Sequence, residues 1–140
     1  MMIPPAVRTE IIERGKSEGY ADAVILENLE TEGWLRTTRL SHNSSKLAQQ
    51  LSSAMGRGEA EAIALALERK ERLFIDDLKG RRIAKMHSIE TTTTLGLIFE
   101  LLSNHVIPPI DYVRNVKNYG SKGWISGDVL EEFIKRGEDF

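Results

Sequence analysis

Two short stretches of this sequence carry carboxylates where a fold can gather them. In Gly58-Glu59-Ala60-Glu61-Ala62-Ile63-Ala64-Leu65-Ala66-Leu67, two acids open an otherwise apolar helix. In Leu73-Phe74-Ile75-Asp76-Asp77, two more close a short apolar strand. Acids at the end of a buried helix and of a buried strand can meet in one cleft when the two elements pack side by side. Clustered carboxylate oxygens are the hard donors that Mg²⁺ and Mn²⁺ prefer. One or two such ions can bind a phosphodiester, activate water and stabilise the leaving oxygen.

Each acid also has a plainer explanation. Glu59 and Glu61 in a first helical turn meet the positive end of the helix dipole, each gaining about 0.3–1 kcal/mol. They stand roughly 200° apart on the helical wheel, so only one of them faces a given cleft, and the spacing leaves open which. Of Asp76 and Asp77, one can cap the next helix while the other is solvated. Lys79, Arg81, Arg82 and Lys85 follow the acid pair and suit phosphate contacts, or form an ordinary solvated helix face. Thr91 to Thr94 reads as a β-prone strand whose hydroxyls end on the same sheet edge as the acids. His42, His87 and His105 have no metal-ligand spacing. Gly56-Arg57-Gly58 is too short for a phosphate-binding Walker loop, and there is no Gly-x-Ser-x-Gly nucleophile elbow.

The elements that must hold these residues follow from periodicity and turn chemistry. Ile3-Pro4-Pro5 leads into a helix over Ala6 to Lys16, because proline is welcome in a first turn; Val7, Ile11 and Ile12 form its apolar stripe. Tyr20 to Leu29 reads as a short helix or a strand, with helix favoured at its start, and Trp34 to Leu40 reads as a short strand. After the turn cluster Ser41-His42-Asn43-Ser44-Ser45, a helix runs to Met55 and a second from Glu59 to about Lys70. Leu73 to Ile75 has the pattern of a parallel strand covered on both faces. A basic helix over Lys79 to His87, a strand over Ile89 to Thr94 and a helix over Leu95 to Asn104 come next. Ile107-Pro108-Pro109 repeats the earlier helix opening, and Asp128 to Arg136 closes the chain after a loop over Gly120 to Gly127. Short strands alternating with helices argue for an α/β fold with a mostly parallel sheet and helices on both faces. Ligands in such folds sit beyond the carboxyl ends of strands, where Asp76 and Asp77 lie.

Composition narrows the class. At 140 residues, 41% hydrophobic and 29% charged, the chain suits one soluble domain over 1–140 with a real core. A net charge of −2 gives no global field for nucleic acid, although a local basic patch or a bound metal can supply one. The absence of cysteine excludes disulfides, thiolate metal sites and cysteine nucleophiles. No apolar run approaches a membrane span and no signal peptide is evident, so a cytoplasmic protein is expected.

Taken in order, Ile3-Pro4-Pro5-Ala6-Val7 with Glu10, Gly58-Glu59-Ala60-Glu61-Ala62, Ile75-Asp76-Asp77 with Gly80-Arg81-Arg82, and Thr93-Thr94-Leu95-Gly96 resemble PIN-domain-like proteins. The likeness is to an uncharacterised branch related to the toxin nucleases of toxin–antitoxin pairs, and it spans nearly the whole chain. It implies a three-layer α/β/α fold and a metal-dependent endoribonuclease using Mg²⁺ or Mn²⁺. It assigns Glu10, Glu59 and Asp76 or Asp77 to the metal and to catalysis, favouring Glu59 over Glu61. It assigns Thr94 to a hydroxyl near the site, and Arg81 and Arg82 are the matching substrate contacts. The sequence departs from the family's pattern at its start. PIN-like proteins open on a central strand ending in Asp, Thr and a small polar residue, whereas this sequence opens at what resembles the second strand. The resemblance therefore implies an N-terminally incomplete or degenerate member.

Two functions are expected from this. One is a toxin-type ribonuclease acting on single-stranded RNA, with an antitoxin protein as partner and activity impaired by the missing first acid. The other is a non-catalytic interaction protein whose exposed sheet edge binds a partner or a second copy, forming a homo-oligomer. A phosphoacceptor role for Asp76 and Asp77 lacks a partner lysine and a third strand-end aspartate.

Overall fold

The computed structural model describes residues 1–123 and 125–140. Its contacts divide the chain into two compact units, Met1–Thr91 and Thr92–Phe140.

The first unit opens with β1 (Met2–Ile3), which pairs in parallel with β2 (Arg36–Thr37), Met2 opposite Arg36 and Ile3 opposite Thr37. A parallel pair requires a crossover. Here it consists of a helical run and α3 (Ala21–Thr31). The run begins as α1 (Pro5–Arg8), widens into a π-helical turn over Thr9–Arg14 and ends as α2 (Gly15–Ser17). Gly15 lets α3 approach closely, since a Cβ there would stand 2.9 Å from that of Ala23. Ile3, Ile12 and Leu35 form the buried core of this half, with Val7, Ile11, Leu26 and Leu29 packed against it. Glu30 ties three elements together: its carboxylate accepts from Arg8 Nε at 2.9 Å and from the Thr37 hydroxyl.

The rest of the first unit is built around α5 (Arg57–Arg69), preceded by α4 (His42–Leu51) and followed by β3 (Leu73–Phe74) and α6 (Leu78–Met86). Ser41 caps α4, its hydroxyl accepting from the Ser44 N–H. Gly58, Ala60, Glu61 and Ile63 to Ala66 of α5 are all buried, so most of this apolar helix is packed as expected, but Leu67 near its end is exposed. Ile63 and Ala66 form a core with Leu73, Ala84 and Ile89. β3 pairs with β4 (Thr91–Thr92), the strand within which the two units divide.

The second unit contains α7 (Thr94–Ser103), α8 (Pro109–Gly120) and α9 (Gly127–Glu138) around buried Leu95, Leu102, Tyr112 and Val116. The Tyr112 hydroxyl donates to the Phe133 carbonyl at 2.8 Å, and burial pushes its phenol above the ordinary range. Of the expected loop over Gly120 to Gly127, Trp124 lies outside the described residues.

The helix openings match the sequence reading. Pro4 and Pro108 are both extended N-caps, each followed by a proline in the first turn. The strands are shorter than expected. Phe74 is 43% exposed, so β3 is not covered on both faces, and Ile75 lies outside it. The expected strand over Ile89 to Thr94 shrinks to two residues because Thr93 leaves it to cap α7. The fold is accordingly mostly helical, with small sheets where a larger parallel one was expected. Among the described residues, no helix is long and apolar enough to cross a membrane.

Candidate functional site

The start of α5 brings two of the expected acids to one place. Gly58, the second residue of this helix, has no side chain, and the Glu10 carboxylate takes the space one would fill. A Cβ built on Gly58 would stand 2.9 Å from both Glu10 oxygens. Glu59 is the third residue of the same helix, and its Oε2 lies 3.8 Å from where a Cβ on the N-cap residue Gly56 would stand. Both carboxylates therefore stand at the N-terminal end of α5, where unpaired backbone N–H groups and the helix dipole favour negative charge. Glu10 reaches this seat from the π-helical turn, a distortion found frequently at functional sites.

Glu61 points elsewhere. It is 9% exposed, and its Oε2 accepts the Ala6 N–H at 2.9 Å while Oε1 accepts from Arg57 Nε at 3.0 Å. The Ala6 N–H is one of the orphan donors in the first turn of α1, so Glu61 terminates that helix from 55 residues away. The roughly 200° between Glu59 and Glu61 thus separates a carboxylate at the helix opening from one buried against α1.

Asp76 and Asp77 follow β3, and both are exposed. Asp77 is the N-cap of α6, with Oδ2 accepting the Gly80 N–H at 2.6 Å. The capping role that the sequence allowed for one of the pair belongs to Asp77. On α6, Arg82 is exposed and Arg81 is half-buried. The Arg81 Nε is buried and has no hydrogen-bond acceptor among the described residues. The Lys79 ammonium donates to the Ala54 carbonyl. Thr94, the first residue of α7, belongs to the second unit. The hydroxyl that caps that helix is its neighbour's, Thr93 Oγ1, which accepts the Gly96 N–H at 3.1 Å.

The donor chemistry suits a hard divalent cation. Among the described residues, no group of three or more His, Cys, Asp or Glu side chains is close enough to hold a metal ion. Glu10 and Glu59 place two carboxylates at the start of this helix, and Mg²⁺ keeps several waters and is often bound through one or two carboxylates plus substrate phosphates. The absence of a side chain at Gly58 is what admits the Glu10 carboxylate to the helix start.

Sequence reasoning missed the seat at Gly58 and the anchoring role of Glu61. The available signal was Gly56-Arg57-Gly58 directly before Glu59: two glycines at a helix opening leave room for another element's side chain.

A family model described as a PIN domain, DUF3368, matches residues 1–139, and the chain belongs to that family. No match was found among curated proteins or among solved structures.

Proposed function

We propose that this chain is a metal-dependent endoribonuclease of the PIN class acting on single-stranded RNA. The observation that carries this reading is the seating of the Glu10 carboxylate on Gly58, at the helix start that also bears Glu59. Glu10 and Glu59 would hold Mg²⁺ or Mn²⁺, and the family resemblance assigns Asp76 and Asp77 as further acids of the reaction. When bound, such an ion supplies an activated water and charge stabilisation at the leaving oxygen.

The chain's own residues bind and orient the substrate. Guanidinium groups match phosphate oxygens well, because their N–H fork can bond two oxygens at once. By the family resemblance, half-buried Arg81 and exposed Arg82 on α6 are assigned to the phosphates of the RNA backbone. Thr94 keeps the substrate-facing hydroxyl that the family resemblance gives it. The same reading takes residues 1–140 as one PIN-like domain of three-layer α/β/α type, cytoplasmic and paired with an antitoxin protein.

The test is cleavage of single-stranded RNA in Mn²⁺ by the protein beside its Glu10→Gln and Glu59→Gln variants. Cleavage by the parent alone supports the proposal. Equal cleavage by all three, or by none, overturns it.

A second reading is favoured by one observation: both residues of β2, in a sheet of only two strands, are exposed. Unpaired edges can accept another strand, and a non-catalytic protein would use this one to bind a partner or a second copy. Light scattering separates the two, because a clean monomer in isolation counts against self-association.

A further inference from the structure

We propose that Glu61 is a positioning residue that fixes where the Glu10 carboxylate stands. Two of the contacts between the helical run of α1 and α5 involve carboxylates. The Ala6 N–H donates to Glu61 at 2.9 Å, and the Glu10 carboxylate lies on Gly58. Ala6 and Glu10 are four residues apart on one run, and Gly58 and Glu61 are three apart on the other, about one helical turn in each case. Two attachments a turn apart constrain both the slide and the rotation of one helix on the other, and they are specific where the rest of the packing is apolar and adaptable. Slipping by a single residue moves a side chain about 1.5 Å along the axis and about 100° around it. Such a slip would lift Glu10 off its seat.

The chemistry of Glu61 supports positioning over generic packing. A carboxylate that is 9% exposed carries a desolvation cost that an apolar residue of similar size would not. Its partner Arg57 is largely exposed, so that ion pair contributes little. The buried bond to Ala6 is the one that matters. The π-helical turn that carries Glu10 starts three residues after Ala6, so the angular placement of Glu10 depends on where the run is anchored at its beginning.

The metal readout of this inference rests on the proposed metal-dependent function, whereas its structural readout does not. Three variants separate the roles: Glu61→Gln keeps an oxygen acceptor for Ala6, Glu61→Leu removes it, and Glu61→Asp withdraws it by one methylene if the leucine variant does not fold. In each, NMR reports the nuclear Overhauser contact between the Glu10 side chain and the Gly58 α-protons, and calorimetry reports Mn²⁺ affinity. The expected result is that Glu61→Gln retains the contact, while Glu61→Leu and Glu61→Asp lose it with helical content preserved. Mn²⁺ binding should weaken by about 10- to 100-fold in the variants that lose it, the range for outer-shell partners of a metal site. Loss of the contact with no Mn²⁺ binding even by the parent protein upholds the positioning role and overturns the metal-dependent reading. A folded leucine or aspartate variant that keeps both the contact and the parent's affinity overturns the inference. So does a lower melting temperature as the only change, which is what a purely structural residue would give.

Discussion

The Glu10 carboxylate stands where the side chain of residue 58 would be, 2.9 Å from the Cβ position of Gly58. An acid from the crossover helix is thereby placed at the opening of α5, 48 residues away along the chain.

Gly58→Ala should therefore separate stability from activity. The group in the way is the flexible end of a glutamate, so the fold can yield by moving it. Replacing a helical glycine should even stabilise the chain by about 0.4–1 kcal/mol through the unfolded state. Displacing Glu10, however, should lower Mn²⁺-dependent RNA cleavage by roughly tenfold or more, the cost of small misplacements at reacting centres. Urea denaturation and a cleavage assay on the same preparation decide this, and unchanged activity would remove Glu10 from the site.

Asp77 both caps a helix and is proposed as an acid of the site, and the two roles need different chemistry. A cap needs one oxygen acceptor, which serine also provides, whereas a metal ligand needs the charge. Asp77→Ala should cost about 1 kcal/mol of stability and also lose activity. Asp77→Ser should keep the stability and lose only the activity. If Asp77→Ser cleaves RNA at the parent rate, the residue is a cap and nothing more.

Local chemistry was the legible part of this protein. Pro4-Pro5 and Pro108-Pro109 marked two helix starts, and the apolar run after Glu59 marked the buried helix, because each signal lies within one turn of its effect. The sheets were over-read because a two-residue strand has too few side chains to alternate. Threonine runs also serve equally as strand formers and caps, as Thr93 does. Glu61 was illegible for another reason: its partner Ala6 lies 55 residues away, and nothing near either residue marks the bond.

Acid should weaken the fold through Glu30 and Glu68. The Thr37 hydroxyl first, then Arg8, holds the Glu30 carboxyl below the ordinary glutamate value. The Ser44 and Ser41 hydroxyls and the Ser41 N–H hold Glu68 down in the same way. A depressed acid contributes stability that is fully present above its unfolded value, about 4.3 for glutamate, and is lost as pH falls through the lower folded value. Between these values the unfolded chain binds more protons, so stability should rise with pH. Urea midpoints measured from pH 7 down to about pH 3 should show a shallower decline in a Glu30→Gln, Glu68→Gln double variant than in the parent. Parallel declines would mean that these two groups do not govern the acid limb.

In the second unit, Gly137 should be intolerant of any side chain. A Cβ at this position would stand 2.2 Å from Tyr112 Cδ1 and 2.5 Å from Cε1. The ring has no room to move away, because Tyr112 is fully buried, its hydroxyl is bonded to the Phe133 carbonyl, and its ring meets Phe99 edge-on. Overpacking of this kind typically costs about 1–3 kcal/mol. The helix-propensity gain of alanine over glycine, about 1 kcal/mol, offsets only part of that. Gly137→Ala should therefore lower the urea midpoint. Gly127 opens the same helix with nothing within 4 Å of its Cβ position, so Gly127→Ala serves as the control and should leave the midpoint unchanged or raise it. Equal effects at the two positions would show that the contact with Tyr112 does not limit position 137.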